Sequence, residues 1–315
     1  QVEFYPWNEN EKVRLDKLNT LKSAKDLFFP QTENMMKFKL EGKNISIAEN
    51  RDPVEPFVVF GVRACDAKSF EVLDKVFLAD PVDTFYQTRR ENGVVITMAC
   101  NEPEETCFCG TFGIDAANPA GDISCWIVDD TLFWKANTEK GEAYSEIVAS
   151  VMEEACEKCE ARVEAHKEAI HAILDKLPLK DLNLEGFDGE HLLEKFNSPK
   201  WAELSEACLG CGTCTFVCPT CQCYDVRDYD NGNGVQRYRC WDSCMYSDFT
   251  LMAHGNSRKS QVERFRQRFM HKLVYFPSNN DGMYSCVGCG RCLAKCPISM
   301  NIVKVIKALG GESNE

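Results

Sequence analysis

Eight cysteines stand in two copies of one spacing, and this repeat is the clearest chemical signal in the chain. Each copy reads C-x2-C-x2-C-x3-C-P; the first holds Cys208, Cys211, Cys214 and Cys218, and the second holds Cys286, Cys289, Cys292 and Cys296. This run is typical of a [4Fe–4S] binding site. Three thiolates at such intervals reach one face of an iron–sulfur cube, and the glycines between them let backbone amides approach the sulfides.

The fourth cysteine of each run points away from the cube that the first three would bind. In two-cluster ferredoxins this cysteine ligates the other cluster. We therefore expect one cluster on Cys208, Cys211, Cys214 and Cys296, and a second on Cys286, Cys289, Cys292 and Cys218. A disulfide framework or a zinc ribbon is the alternative, because both also use C-x2-C spacings; a four-ligand zinc site, however, does not require the whole run twice.

The composition indicates a chain that works in a reducing compartment. With 315 residues and 44% hydrophobic content, about two domains are expected, and no apolar run is long enough for a membrane span. Nineteen cysteines in a chain of this length favour metal ligation over disulfides, which predicts a cytoplasmic protein. The net charge of −13 argues against nucleic acid as a partner. Residues 227–272 are basic, and this segment either offsets anionic clusters, docks an acidic partner or is a solvated helix face.

Four further cysteines are expected to meet at one edge of a parallel sheet. Residues 57–62 and 93–98 are apolar strands, and the helix between them makes a βαβ unit, with Asp66 as a candidate helix cap. Cys65 and Cys100 follow the two strands, and Cys107 and Cys109 lie in the next loop. Ligands bind at this edge of open α/β sheets, so these four predict a third iron–sulfur cluster. The alternatives are packing residues with a local cysteine pair, or a structural zinc ion.

The remaining cysteines are interpreted mainly as packing residues. Cys125 lies within a strand, and Cys156 and Cys159 lie on the apolar side of one long helix expected over residues 143–176. His166 is expected on that same side. Four more, Cys221, Cys223, Cys240 and Cys244, lie between the two motifs and are left open between a further metal site and packing beside the clusters.

The predicted fold is an α/β N-terminal domain followed by an α-helical, two-cluster ferredoxin-like domain. Residues 1–142 form the first, residues 143–200 hold the long helix and a connector, and residues 201–315 form the second. A helix over residues 10–28 and a hairpin over residues 36–49 are expected near the start. The stretch between the motifs includes a helix over residues 257–273, with apolar side chains on one face and arginines on the other.

The motif set as a whole resembles a known family. Nucleotide-binding, serine-hydrolase and zinc-protease motifs are not seen. The cluster runs, together with residues 60–66, 89–91, 107–110, 218–226 and 239–244, resemble the 4Fe–4S dicluster family, which includes sulfhydrogenase β subunits and the corresponding subunit of anaerobic sulfite reductases. The resemblance covers most of residues 55–300; Ala64 departs from the proline expected there, and Cys125, Cys156 and Cys159 lie outside the shared pattern.

This resemblance implies an electron-transfer subunit without a catalytic residue of its own. Its partners would be a subunit that binds flavin and NAD(P) and a catalytic redox subunit, either a nickel–iron hydrogenase or a sulfite reductase. Two other interpretations stay open: an enzyme that acts on substrate at the N-terminal iron–sulfur site, and a zinc-stabilised assembly scaffold.

Overall fold

The structure is a computed structural model that describes residues 20–311. Part of the helix expected over residues 10–28 lies outside the described residues, and the rest is helical only at α1, Lys25–Phe28. The predicted hairpin is present. Its strands β1, Thr32–Glu41, and β2, Asn44–Glu49, pair in antiparallel orientation.

The predicted βαβ unit forms the centre of the N-terminal half. Its elements are β3 (Phe57–Val62), α2 (Ala64–Phe77), α3 (Thr84–Asn92) and β4 (Gly93–Met98), followed by β5 (Ile123–Val128) and β6 (Thr131–Ala136). The sheet has the order β3-β4-β5-β6; β3, β4 and β5 are parallel, and β6 is antiparallel to β5. The loops after β3 and β4 therefore meet at one edge, as expected from the sequence.

The start of α2 differs from the prediction. Asp66 does not cap the helix, because α2 begins two residues earlier, at Ala64, and Arg63 is the N-cap residue. Asp66 lies in the first turn instead, where its carboxylate pairs with Arg291. This shift places Cys65 inside the first helical turn rather than at the end of the strand.

The single long helix expected over residues 143–176 is wrong. Two helices are present, α4 (Glu139–Val148) and α5 (Glu157–Leu174), and both Met152 and Cys156 between them have extended backbones. Glu157 and Glu160 lie in the first turn of α5, where the helix dipole favours negative charge, so the sequence supports a new helix start here.

The C-terminal half mixes short helices with two hairpins. In chain order it contains α6 (Leu192–Phe196), α7 (Lys200–Glu206), α8 (Thr213–Phe216), β7 (Tyr224–Asp230), β8 (Val235–Trp241), β9 (Leu251–Met252), β10 (Gly255–Asn256), α9 (Gln261–Met270), α10 (Phe276–Asn279), α11 (Arg291–Ala294) and α12 (Ile302–Leu309). A π-helical turn over His271–Tyr275 joins α9 to α10. The expected all-helical character thus fits only part of this half, because β7 and β8 form a hairpin of two seven-residue strands.

That hairpin joins the two halves of the chain in one sheet. Its strand order is β2-β1-β8-β7, and β1 pairs with β8 from Thr32 opposite Cys240 to Phe38 opposite Val235. The division at residues 142 and 200 stays a prediction, and this sheet pairs strands from both sides of it. Within residues 20–311, no helix is both long enough and apolar enough to cross a membrane.

Candidate metal centres

The two cysteine motifs adopt the same local backbone. In the first, Gly210 and Gly212 have φ of +65° and +73°; in the second, Gly288 and Gly290 have φ of +58° and +75°. These left-handed conformations suit glycine, because a Cβ atom would be strained there. Each motif then enters a one-turn helix, α8 or α11, and the two helices contact each other. The repeat in sequence is therefore a repeat in structure.

The second motif lines an enclosed cavity together with the last cysteine of the first motif. Cys218, Cys286, Cys289 and Cys292 all border this cavity. It is the combination that the crossed arrangement of fourth cysteines predicts. Arg268 and Lys272 border the same cavity, and both side chains are buried.

A second enclosed cavity lies at the edge of the parallel sheet. Cys65, Cys100, Cys107 and Cys109 border it. Cys65 reaches it from the first turn of α2, whereas Cys109 begins a 3₁₀ turn over Cys109–Phe112. The four residues grouped in the sequence are therefore grouped in the structure.

The two cavities share a wall at Cys289, which borders both. The loop of Cys107 and Cys109 lies directly on the second motif, and the backbone N–H of Phe108 donates to the carbonyl of Gly288 at 2.9 Å. A Cβ atom at Gly288 would lie only 2.4 Å from the Phe108 carbonyl oxygen. Glycine is therefore required here for close approach as well as for backbone conformation.

A buried ion pair holds the same junction. Arg291 follows Gly290 and is 4% exposed, and its two terminal nitrogens donate to the Asp66 carboxylate at 2.5 and 2.6 Å. The paired geometry gives the strongest form of carboxylate–guanidinium contact. Arg291 also donates to the carbonyl of Thr20 at 2.8 Å.

The first motif lies nearer the surface. Cys211 is exposed and shares a hydrogen bond with the Thr213 hydroxyl, which lowers the pKa of its thiol. Cys296, the expected fourth ligand, donates a 3.3 Å hydrogen bond to the carbonyl of Met300. Its role as a ligand beside Cys208, Cys211 and Cys214 stays a prediction.

Comparison with known proteins identifies the family. The model of the 4Fe–4S dicluster domain matches residues 207–300, which contain both motifs. A curated relative from Pyrococcus furiosus, named "Sulfhydrogenase 2 subunit beta", is 33% identical over 309 residues, or 96% of this chain and 87% of the relative. The chain belongs to the sulfhydrogenase β-subunit family. No solved structure matches it.

As a member of this family, the chain is an iron–sulfur protein of the electron-transfer type with a 4Fe–4S dicluster domain, as the sequence predicted. The burial of its thiols agrees with metal ligation. Burial raises the pKa of Cys107 and Cys286 to about 12 and that of Cys109 to about 11. Thiols of this kind are neutral at pH 7 and become thiolates on binding metal, which releases their protons.

Buried hydrogen-bond donors around the dicluster domain fit an anionic, sulfide-rich group. Arg268 Nε and Ser285 Oγ are buried and have no hydrogen-bond partner among the described residues. Arg268 borders the cavity of the second motif, and Ser285 immediately precedes Cys286. Donors aimed at cluster sulfur are a usual feature of iron–sulfur sites, so the residues present fit such a cluster.

The buried cations of this site were missed from the sequence. The apolar face of α9 is as predicted at Phe265 and Phe269, but Arg268 is 2% exposed and lies on that side. The expectation that the arginines face solvent is therefore wrong for Arg268. Lys272, one helical turn on, donates to Thr220 at 2.8 Å and to the carbonyl of Ser285 at 2.9 Å. The sequence did hold a signal for these buried cations, because Arg268 and Lys272 lie beside the apolar residues Phe265 and Phe269 on one side of the helix.

Of the four cysteines between the motifs, Cys221, Cys223 and Cys244 lie near one another, and Cys240 lies apart from them. Cys221 makes a side-chain hydrogen bond with Cys218, and Cys223 makes one with Cys244, whereas Cys240 interacts with the charges of Arg227 and Asp225. Across residues 20–311, no three His, Cys, Asp or Glu side chains converge as a single metal ion requires.

The other cysteines divide into one buried residue and one pair near the surface. Cys125 is fully buried in β5, as expected. The expectation that Cys156 and Cys159 are core residues is wrong: Cys156 is exposed and Cys159 is half-buried, because the helix break leaves this end of α5 at the surface. His166 is half-buried on the side of α5 that carries Val163 and Ile170, as predicted.

Proposed function

We propose that the chain relays electrons inside a multisubunit oxidoreductase, between a subunit that binds flavin and NAD(P) and a catalytic redox subunit. The catalytic subunit would be of the nickel–iron hydrogenase or sulfite reductase type. The name of the relative, a sulfhydrogenase subunit, supports this assignment. Nineteen cysteines in a chain of this length suit a reducing compartment such as the cytoplasm.

We assign three [4Fe–4S] clusters to the chain. The first would be held by Cys208, Cys211, Cys214 and Cys296, the second by Cys286, Cys289, Cys292 and Cys218, and the third by Cys65, Cys100, Cys107 and Cys109. When bound, such clusters supply one-electron carriers whose potentials depend on nearby charge and hydrogen bonds. Cys65, Cys107, Cys109 and Cys289 are buried away from water, and Arg268 and Lys272 supply positive charge beside the second set.

The observation that carries the proposal is the position of Cys289 in the walls of both cysteine-lined cavities. Two redox groups separated by one side chain form a path rather than two isolated sites. The contact between α8 and α11 extends this path toward the exposed Cys211. The chain thereby offers a buried start and a surface end for electrons.

Iron, zinc and acid-labile sulfide per chain, with EPR of the reduced protein, test the proposal. Anaerobically prepared protein is expected to hold about twelve irons, as three [4Fe–4S] clusters require. The double substitution Cys107→Ser and Cys109→Ser is expected to lower this to about eight, whereas the control Cys125→Ser keeps all twelve. About eight irons in the unmodified protein would contradict the third cluster. Colourless protein that contains zinc would instead establish the scaffold interpretation.

A second candidate function rests on an open cleft beside the N-terminal cysteines. The cleft has a volume of about 430 Å³ and is bordered by Cys107, Cys109, Asp115 and His171. His171 Nε2 lies 2.8 Å from an Asp115 carboxylate oxygen, and this hydrogen bond helps to hold the pKa of Asp115 below its usual value despite partial burial. An acid–base pair in such a cleft favours an enzyme that acts on its own substrate. An exchangeable iron in the N-terminal cluster would support this alternative.

A further inference from the structure

The cysteine pair at the start of α5 has the geometry of a redox-active dithiol. Cys156 is the N-cap residue of the helix and Cys159 lies in its first turn. Their sulfur atoms are 2.9 Å apart, and the backbone N–H of Cys159 donates to the carbonyl of Cys156 at 2.7 Å. The C-x-x-C spacing at a helix start is the arrangement in which one thiol is activated and the other resolves a disulfide.

The local environment distinguishes the two thiols. Hydrogen bonds from the side chain and the backbone of Cys159 lower the pKa of Cys156. The positive end of the helix dipole acts in the same direction. Glu153, Glu154 and Glu157 are exposed nearby and oppose a thiolate. Cys156 is thus the thiol that is better prepared to attack, and Cys159 is the one placed to follow.

This pair is separate from the cysteine-lined cavities. Leu174, at the other end of α5, borders the N-terminal cavity. Fifteen residues of helix separate it from Cys159, which corresponds to about 22 Å. Cys156 and Cys159 are therefore too distant to ligate the cluster assigned there, and the exposure of Cys156 argues against a packing role.

We propose that Cys156 and Cys159 form a redox-active dithiol that exchanges with disulfides. In the first step the Cys156 thiolate attacks one sulfur of a disulfide, which forms a mixed disulfide and releases one thiolate. Cys159, on losing its proton, then attacks the Cys156 sulfur and releases the second thiolate. The pair gives up two electrons and two protons in total, and the external disulfide becomes two thiols.

The surface beside the pair suits a disulfide-bearing molecule with an apolar part. Ile147 and Val151 are 74% and 83% exposed, and Met152 is 38% exposed. These side chains shortly precede Cys156 in the chain. Exposed apolar groups next to a reactive thiol provide a contact area that the thiol itself lacks.

A redox titration of the anaerobic, cluster-containing protein tests the proposal. The protein is equilibrated with a series of ratios of oxidised to reduced dithiothreitol, the free thiols are alkylated, and the peptide with both cysteines is analysed by mass spectrometry. One transition is expected, in which the peptide loses two hydrogens and two alkylation sites together while the visible absorbance of the clusters is unchanged. Two alkylated thiols at every ratio would overturn the proposal.

Single substitutions assign the two roles. Each variant is treated with glutathione disulfide. In Cys159→Ser, the mixed disulfide between Cys156 and glutathione is expected to persist. In Cys156→Ser, a mixed disulfide at Cys159 is expected to form more slowly. Equal rates in the two variants would overturn the assignment, as would zinc in the unmodified protein that both substitutions release.

The class of disulfide is identified by comparing two oxidants of the unmodified protein, glutathione disulfide and an oxidised thioredoxin-type protein. Oxidation of the pair by either supports the proposal and identifies the class of disulfide that it accepts. If neither oxidant oxidises the pair, the proposal is contradicted.

Discussion

At the scale of single residues, buried positive charge is the feature that most directly controls an iron–sulfur site. Lys272 is 3% exposed, and its electrostatic interaction with Cys218, Cys221 and Cys286 raises its pKa against the opposing effect of burial. Interaction with Cys214 and Cys292 likewise raises the pKa of Arg268 against the opposing effect of burial. Both cations stay charged at any physiological pH, so both stabilise the more negative, reduced state of a nearby cluster.

Removing one of these charges is expected to lower the potential of the second-motif cluster. Lys272→Met keeps the length of the side chain but removes its charge, a change on the order of 2 kcal/mol, or roughly 90 mV for one electron. Lys304→Met, at an exposed position on α12, is the control and should leave the potential unchanged. EPR-monitored redox titration measures both. Equal potentials in the two variants would contradict a tuning role for Lys272.

A second residue-scale prediction concerns pH. Burial, assisted by Lys272 and Arg258, lowers the pKa of His271 to about 4 from an ordinary 6.5. Between these values the unfolded chain binds more protons than the folded one, so stability falls as the pH decreases from 6.5 toward 4. His271→Gln should flatten this dependence between about pH 7 and 5.5, measured as the melting temperature. His254→Gln, at an exposed site, should not.

What the sequence could predict at this scale follows from how local the signal is. The second and third sets of cysteines, which the structure groups around two cavities, could be proposed from the sequence because ligand spacing and strand ends are local features. Arg268 was placed on the wrong face because a charged side chain normally lies outside an apolar stripe. Cys156 fitted a helical period well, but whether a helix continues past Val148 depends on packing and capping that the period does not contain.

At the scale of elements, Gly288 and Gly290 of the second motif lie where the two halves of the chain contact each other, against the loop of Thr106 and Phe108. Gly288 has φ of +58° and faces the Phe108 carbonyl, whereas Gly282 has φ of +80° and nothing within 4 Å of its missing Cβ. A substitution at Gly282 would therefore introduce backbone strain alone, whereas one at Gly288 would introduce both backbone strain and a steric clash.

This pair gives a matched test. Gly282→Ala should cost about 1–2 kcal/mol of stability, which is the cost of a left-handed conformation alone. Gly288→Ala should cost more and should also reduce the iron content by about four per chain, because the Phe108 loop is pushed away from the motif. Thermal unfolding and iron analysis measure these effects. The same loss of iron in Gly282→Ala would show that the contact with Phe108 is not the cause.

The elements divide into those that a local pattern determines and those that it does not. The parallel strands were predicted from apolar runs. Gly232 and Gly234, both with positive φ, form the turn between β7 and β8. The strands on either side of that turn were missed because their charged residues hide the alternation. Arg237 pairs across the hairpin with Asp228 at 2.7 Å, so the charges serve the pairing itself.

At the scale of the whole molecule, the Asp66–Arg291 pair holds the N-terminal cavity against the dicluster domain. Asp66→Asn removes the carboxylate from a buried guanidinium, and the expected loss of stability is about 3–5 kcal/mol. Asp228→Asn at the exposed Arg237 pair is the control, with an expected loss of about 0–1 kcal/mol. Denaturant unfolding measures both. Similar losses in the two variants would show that the buried pair does not hold the halves together.

The long-range arrangement could not be predicted from local patterns. Strand β1 pairs with β8, which lies about two hundred residues later in the chain; Thr32, for example, lies opposite Cys240. Contacts between the strands themselves hold the pair together, such as the 2.8 Å hydrogen bond that Arg239 Nε on β8 donates to Glu33 on β1. No periodicity in either segment carries this information.

The pairing of β1 with β8 also sets an order of events during biosynthesis. At usual translation rates of about 5–20 residues per second, the first hairpin emerges roughly 10–40 s before its partner strand exists. Two strands alone are marginal in water, and Ile45 and Ile47 on this hairpin are 64% and 65% exposed even in the finished sheet. The newly made chain therefore carries an open strand edge on β1 until β8 has been synthesised.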